Sequence, residues 1–158
     1  MRIILKIFLL CYLLLLTTRC NHPKEDYCYK SLSGWAAKEP IELKLNLDTA
    51  KYYNMDLCLR IDNSSIKNEN FNTLPLIIIF QSPSGKKYAD KIELPFYTQE
   101  KDNSKTINGY RDIKFNYLKN ISSKECGKWK IIINQREYNL DYKYIMGIGI
   151  SVKETKNE

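Results

Sequence analysis

The sequence contains a single histidine, His22, among its 158 residues, and only six glycines and five prolines. One histidine excludes metal sites that need several imidazole ligands and catalytic arrangements that use more than one imidazole. The glycines form no phosphate-binding loop, and neither a Gly-x-Ser-x-Gly elbow nor a His-Glu-x-x-His motif is present. His22 stands in a polar stretch close to Cys20, where we expect a solvated side chain. The sequence therefore predicts no enzymatic activity, no cofactor and no metal site.

Carboxylates are the one type of catalytic group that the sequence holds in number, with 18 aspartates and glutamates. A glycosidase needs only two of them, placed on either side of the scissile bond. The sequence singles out no such pair, because its carboxylates fit turns or solvent-facing strand positions: Asp48, Asp56, Asp62, Glu93 and Asp112. An enzymatic function is thus the third interpretation, behind two non-catalytic ones.

Long hydrophobic runs are also scarce, and the most extended is the run of ten residues Ile7–Leu16. As a helix it reaches about 15 Å, half of a hydrocarbon core of about 30 Å. Arg2 and Lys6 precede it, and Cys20 follows it closely, which is typical of a bacterial lipoprotein signal peptide. Arg19 is unusual directly before the modified cysteine. We predict lipidation of Cys20; a soluble secreted protein and a retained membrane anchor are the alternatives.

Removal of this leader lowers the charge of the chain. The formal charge is +7 overall, and the 139 residues from Cys20 onward carry 22 basic and 18 acidic residues, a charge of +4. Lysines are concentrated in Lys119–Lys130, but no zinc-finger spacing, aromatic RNA-binding motif or basic helix accompanies them. We therefore predict no nucleic-acid partner.

The chain divides into four parts on these grounds. We predict a signal peptide over residues 1–19, a lipidated tether over residues 20–26, one folded domain over residues 27–153 and a polar tail over residues 154–158. A folded part of this length is large enough to bury one hydrophobic core.

Three cysteines belong to the predicted folded domain, namely Cys28, Cys58 and Cys126. An odd number allows at most one disulfide, and export makes such a bond chemically feasible. The spacings are unlike those of a zinc site, and no Cys-x-x-Cys pair occurs. We expect structural thiols or one disulfide.

Apolar and polar residues alternate with period two in Ile41–Leu47 and Tyr53–Ile61, which is typical of half-buried strands. Leu74–Phe80 is almost entirely apolar and is predicted to be a central strand. A turn at Pro83–Lys86 predicts a hairpin between Leu76–Gln81 and Lys87–Leu94.

Further strands are predicted at Tyr110–Leu118, Lys128–Gln135 and Ile145–Val152, with polar loops at Asp62–Thr73 and Thr98–Gly109. No persuasive helix of ten residues is present. About eight short strands predict an all-β fold, a single antiparallel β-sandwich of the jelly-roll or immunoglobulin-like type.

Aromatic and arginine side chains are the preferred residues of protein contacts, so Trp35 and Arg60 are the candidate partner contacts. Trp35 lies in an apparent loop, where burial and binding are both open. Arg60 points away from the leucine face of its strand, so a structural ion pair competes with recognition. Trp129 alternates with Ile131 and Ile133 and is predicted to be buried. The twelve tyrosines leave open a glycan-binding surface.

An ordered set of segments is similar to the gliding motility lipoprotein GldH family of Bacteroidetes-type bacteria. A short strand after the lipidated cysteine leads to Trp35, and the other segments are Ile41–Thr49, the Tyr-x-x-x-Leu-x-Leu-Arg pattern of Tyr53–Arg60, the turn Pro83–Gly85, the Trp-containing strand Gly127–Gln135 and the closing strand Ile145–Lys153. The chain has Arg136 and Glu137 where the family usually has Met-Arg, and its segment Thr98–Tyr110 departs from the family pattern.

The resemblance implies a membrane-anchored β-sandwich that assists the gliding motility and associated protein secretion machinery. Its partners would be the membrane, through the lipid on Cys20, and other motility or secretion proteins. The resemblance brings no catalytic residues, and no small-molecule ligand is identified. We expect a place in the cell envelope, at the outer membrane facing the periplasm. The alternative function is that of a periplasmic or surface glycan-binding lipoprotein.

Overall fold

The computed structural model describes residues 25–66, 73–95, 104–137 and 141–155. The predicted signal peptide, Cys20 and His22 lie outside these ranges. Within them, no helix has the length and apolar character needed to cross a membrane.

The described residues form nine strands in two antiparallel sheets. The five-stranded sheet has the order β1-β9-β3-β7-β6 and contains β1 (Glu25–Ser31), β3 (Tyr52–Asp62), β6 (Ser104–Ile107), β7 (Tyr110–Ser122) and β9 (Ile145–Thr155). The four-stranded sheet has the order β2-β8-β4-β5 and contains β2 (Ile41–Leu47), β4 (Thr73–Gln81), β5 (Lys87–Pro95) and β8 (Gly127–Gln135). A helical turn, α1 (Asn63–Ile66), follows β3. The predicted all-β antiparallel sandwich is confirmed.

Alternation along the strands produces the core. Because successive side chains of a strand point to opposite faces, Ile41, Leu43 and Leu45 of β2 are buried while Glu42 and Lys44 between them are exposed. The same pattern in the other strands fills the space between the sheets with aliphatic and aromatic side chains, including Leu57, Leu59, Leu76, Ile78, Ile113, Trp129, Ile131, Ile148 and Ile150. Burial of this apolar surface is the main favourable term in folding.

The predicted hairpin of the four-stranded sheet is confirmed. Gln81 at the end of β4 pairs with Lys87 at the start of β5, and the turn is closed by a 2.8 Å hydrogen bond from Ser82 N–H to the Lys86 carbonyl. Gly85 has φ +89° in this turn, a left-handed conformation that glycine adopts without a Cβ penalty.

The predicted loop Thr98–Gly109 is wrong in part, because Ser104–Ile107 forms β6 and pairs with β7. The turn between them is Asn108-Gly109, and both residues have positive φ values, 51° and 82°. Asn-Gly is the strongest short hairpin signal. The four residues before it are mostly polar, and that polarity obscured the strand.

Two boundaries of the folded domain also differ from the prediction. Glu25 and Asp26, assigned to the tether, are the first residues of β1, and Glu154 and Thr155, assigned to the tail, extend β9. Both pairs are polar, but each is hydrogen-bonded into the five-stranded sheet. In the predicted loop Asp62–Thr73, the ends belong to β3 and β4, while residues 67–72 lie outside the described ranges.

The two ends of the sandwich are built differently. At one end, called here the Glu25 end, β1 begins and the short connections 48–51, 82–86 and 123–126 join the strands. At the opposite end, called the Trp35 end, residues 32–40 pass from β1 in one sheet to β2 in the other.

Trp35 fills the space between the sheets at its end and is only 1% exposed. It pairs with Tyr142 through hydrogen bonds of 3.0 and 2.9 Å, and its indole Nε1 donates to the Glu39 carbonyl at 2.8 Å. Gln135 Nε2 donates to the Trp35 and Ala36 carbonyls. The prediction of Trp35 as a partner contact is therefore wrong for its side chain, because the crossing segment carries the ring into the core. The predicted burial of Trp129 is confirmed.

Candidate functional site

Arg60 lies on the outer face of the five-stranded sheet, among side chains that four neighbouring strands bring together. Tyr29 of β1 lies opposite Gly149 of β9, which lies opposite Cys58 of β3, which lies opposite Lys114 of β7. We call this surface the Arg60 face and define it by Tyr27, Tyr29, Cys58, Arg60, Asp112 and Lys114. With Lys105 of β6, these residues line an open depression of about 530 Å³.

The aromatic part of the Arg60 face depends on two glycines of β9. Gly147 and Gly149 leave the outer surface of that strand bare, and the ring of Tyr29 lies across it, so that a Cβ on Gly147 would overlap the Tyr29 phenol. Tyr27 stacks on Tyr29 with ring centres 5.7 Å apart and planes 15° apart. Tyr27 is 57% exposed, so the outer side of this stack is free to contact another molecule.

An ion pair fixes the position of Arg60. Its Nε and Nη2 donate to the two carboxylate oxygens of Asp112, each at 2.7 Å. This two-point contact raises the pKa of the Arg60 guanidinium above its ordinary value. Both side chains remain about two-fifths exposed, at 44% and 41%, and exposed pairs contribute at most about 1 kcal/mol to stability. The pair therefore orients Arg60 toward solvent more than it stabilises the fold.

A second charged cluster lies beside this pair. Lys114 Nζ is 3.2 Å from a carboxylate oxygen of Asp56 and 3.1 Å from one of Glu25. Glu25 also accepts a hydrogen bond from the Ser151 hydroxyl. The bonds from Ser151 and Lys114 lower the pKa of Glu25, which keeps it ionised near neutral pH. These contacts connect β1 to β7 across the sheet.

The three cysteines of the described residues form no disulfide. Cys28, Cys58 and Cys126 are all free thiols. Cys28 packs against the core, while Cys58 is on the outer face, so the strand register separates them to opposite sides of the sheet. Burial raises the pKa of the Cys58 thiol to about 11, so the thiol is protonated at neutral pH. Among the described residues, no three His, Cys, Asp or Glu side chains are grouped to hold a metal ion.

The Arg60 face combines an apolar group with charged groups on one surface. A stacked aromatic ring gives an apolar platform, and the depression beside it presents guanidinium, ammonium and carboxylate groups. These groups can contact an aromatic or apolar side chain and exchange ion pairs with charged groups of a partner.

Of the residues of this surface, the sequence predicted only Arg60. Two roles were predicted for Arg60, a structural ion pair or recognition of a partner, and the structure shows the ion pair. It missed Tyr27 and Tyr29, because they follow the predicted polar tether directly and their segment does not alternate apolar and polar residues. The signal was available as tyrosines at alternate positions of one strand and glycines at alternate positions of another, Gly147 and Gly149. Cys20 lies outside the described residues.

Comparison with known proteins identifies the family. A family model described as GldH lipoprotein matches residues 25–152 of the chain. The chain belongs to this family. The GldH match begins at the first residue of β1 and ends at residue 152 within β9, so it includes the Arg60 face and all nine strands except the last three residues of β9. The family resemblance predicted from the ordered segments is confirmed.

Two relatives agree with the GldH assignment. The chain is 28% identical over 140 residues to a gliding motility lipoprotein GldH homolog of Christiangramia forsetii, covering 85% of this chain and 82% of the relative. It is 34% identical over 112 residues to gliding motility lipoprotein GldH of Flavobacterium johnsoniae, covering 68% of this chain and 65% of that relative. The family and both relatives bear the name of lipoproteins, which agrees with the class predicted from the leader sequence.

Proposed function

We propose that the protein is a non-catalytic, lipid-anchored accessory component of the gliding motility and associated protein secretion machinery, and that it acts through protein contacts. The observation behind this proposal is the GldH match over residues 25–152, together with relatives named for gliding motility. The anchor would be a lipid on Cys20, and the domain would face the periplasm from the outer membrane.

The Arg60 face is the proposed contact surface. Its residues come from three strands of one sheet, so the surface needs little ordering when a partner binds. Tyrosine and arginine are enriched among residues that dominate binding energy, and Tyr27 and Arg60 are both accessible. Because the ion pair between Arg60 and Asp112 is exposed, breaking it costs little free energy, and both side chains can then form ion pairs with a partner.

A complementation experiment tests the function and the surface together. Deletion of the gene in the organism that makes the protein is expected to stop colony spreading and export of cell-surface adhesins, and the natural gene should restore both. The double variant Tyr27→Ala, Arg60→Ala should accumulate normally but restore neither. Lys130→Ala is the matched control, because Lys130 forms an ion pair of similar exposure with Glu42 on the outer face of the other sheet.

The outcomes separate the two parts of the proposal. A deletion strain that still spreads and exports adhesins would refute the motility function. Full restoration by the double variant would leave that function in place and refute the Arg60 face as the contact surface.

Glycan binding is the second candidate, and the exposed ring of Tyr27 beside a polar depression is the observation that favours it. It ranks second because the other strongly exposed tyrosines of the described chain, Tyr88 and Tyr110, lie on β5 and at the start of β7 and do not line this depression. Binding on a glycan array that Tyr27→Ala abolishes would favour this function. A negative array, with motility proteins recovered in pull-downs, would favour the first.

A further inference from the structure

An apolar groove opens between the two sheets at the Glu25 end. It has a volume of about 210 Å³. Leu118 and Ile121 of β7 border it on one side, and Phe80 of β4, Tyr88 of β5 and Trp129 of β8 border it on the other. Tyr88 is 47% exposed and packs against Trp129 with ring centres 6.2 Å apart. The groove is therefore a continuation of the core that reaches solvent.

The groove lies at the end from which the chain leads back to Cys20. Only five residues along the chain separate Cys20 from Glu25, the first residue of β1. Five residues span at most about 17 Å even when fully extended. If Cys20 is acylated, as the proposed function holds, the Glu25 end is therefore kept within that distance of the membrane surface.

The rim of this groove is basic. Lys86, Lys87 and Lys124 are exposed at this end, and Lys124 lines the groove itself. The nearby carboxylates already have partners, since Glu125 accepts hydrogen bonds from Ser84 and Glu154 pairs with Lys51. Lys86 Nζ lies 3.9 Å from Glu125, so Lys87 and Lys124 are the lysines of this rim with most charge to offer. Lysines near a membrane surface attract anionic headgroups.

We propose that the Glu25 end rests on the membrane leaflet that holds the anchor, with the groove taking up part of a phospholipid acyl chain and the lysine rim contacting anionic headgroups. This inference rests on the proposed anchor at Cys20. Aromatic side chains such as Trp129 and Tyr88 suit the boundary between headgroups and acyl chains. The strands would stand upright on the membrane, and the Arg60 face would point sideways, open to partners.

The two tryptophans of the chain give a direct test, because one lies at each end. Trp129 borders the groove, and Trp35 contacts Gln135, six residues further along β8, which is about 20 Å away. The full lipidated chain is reconstituted into phosphatidylethanolamine and phosphatidylglycerol vesicles with brominated or ordinary acyl chains. Trp35→Phe leaves Trp129 as the emitter, and Trp129→Phe leaves Trp35.

Insertion at the interface predicts unequal quenching by the brominated chains. Trp129 emission should fall about twofold or more, as expected for a side chain at the headgroup and acyl-chain boundary. Trp35 emission should stay unchanged. Replacing phosphatidylglycerol by phosphatidylcholine should weaken the quenching of Trp129, since the lysine rim would lose its anionic contacts.

A second probe avoids any change of core residues. Cys126 is an exposed thiol in the connection 123–126 and can be labelled with an environment-sensitive dye in the natural chain. The matched control is the double variant Cys126→Ser, Lys143→Cys, which moves the label to an exposed position at the Trp35 end. The Cys126 label should be quenched by brominated lipid and the control label should not.

Equal quenching at both ends, or quenching confined to the Trp35 end, would overturn the inference while the anchor stands. Quenching of Trp129 that disappears only when a purified motility protein is added would still support it, since the partner would be displacing lipid. Release of the natural chain from vesicles by carbonate washing, with no difference between it and Cys20→Ser, would refute the anchor and this inference with it.

Discussion

The two ends of the sandwich place the same kind of residue in contrasting settings. Trp35 and Trp129 each donate an indole N–H to a backbone carbonyl four residues away in the sequence, that of Glu39 and that of Glu125. At the Trp35 end, the nine-residue connection 32–40 meets residues 141–144 and covers the core. At the Glu25 end, connections of four or five residues leave a groove open. Connection length therefore decides which end of the core is covered.

The largest effect should come from truncating the covered tryptophan. Trp35→Ala removes a fully buried ring and leaves a cavity, and we expect a loss of about 4 kcal/mol in the free energy of unfolding, measured by urea denaturation. Tyr88→Ala at the Glu25 end should cost less than about 1 kcal/mol, because its ring is half exposed. Equal losses would refute the contrast between the ends. If Trp35→Ala fails to fold, Trp35→Phe should show an intermediate loss.

A smaller effect is expected at Gln135, whose side chain connects the segment 32–40 to β8 by hydrogen bonds. Gln135→Leu removes the two hydrogen bonds from Nε2 but keeps the volume of the side chain. The Trp35 carbonyl still accepts from Tyr142, and the Ala36 carbonyl from Glu39. We therefore expect a loss of only about 1 kcal/mol in unfolding free energy. Asn134→Leu on the opposite face is the control, expected within about 0.5 kcal/mol of the natural chain.

The smallest effect concerns the pH response of the Glu25 end. The hydroxyl and N–H of Ser84 donate to Glu125 at 2.8 and 3.0 Å and lower the pKa of Glu125. Because the pKa of Glu125 is lower in the folded chain than in the unfolded chain, ionised Glu125 stabilises the fold at pH values above its unfolded pKa. This contribution is lost as the pH falls through the folded pKa. In an NMR titration, Ser84→Ala should move the Glu125 pKa back up. An unchanged midpoint would contradict the contact, and Tyr142 signals at the Trp35 end should not respond.

Most strands could be predicted from the sequence because their periodicity is a direct consequence of burial on one face. Ile41–Leu47 matches β2 at both boundaries, and the hairpin of β4 and β5 follows from its turn residues. Where the side chains were polar, the backbone pairing had no hydrophobic signature, so β6 was missed and Glu25 and Asp26 of β1 were assigned to the tether. Hydrogen bonds to a neighbouring strand stabilise these segments, and the neighbour is distant in sequence.

The candidate site was less predictable for the same reason. Arg60 could be placed on an outer face from alternation alone, but its partner Asp112 is 52 positions away and is fixed by the register of β3 and β7. The stacking of Tyr27 and Tyr29 requires the bare surface of β9, which lies more than a hundred residues further along the chain. The burial of Trp35 could not be predicted either, because Tyr142, with which it pairs, is also distant in the sequence.

The sequence by itself determined the leader pattern, the family resemblance and the antiparallel sandwich, because each depends on local order or on a period of two. Only the tertiary structure decided which tryptophan is covered, which charges meet on the Arg60 face, and that the groove opens at the end where β1 begins. These properties depend on strand order and on the lengths of connections that bring distant segments together. Two of the six glycines, Gly147 and Gly149, make room for the stacked tyrosines, which only the structure could show.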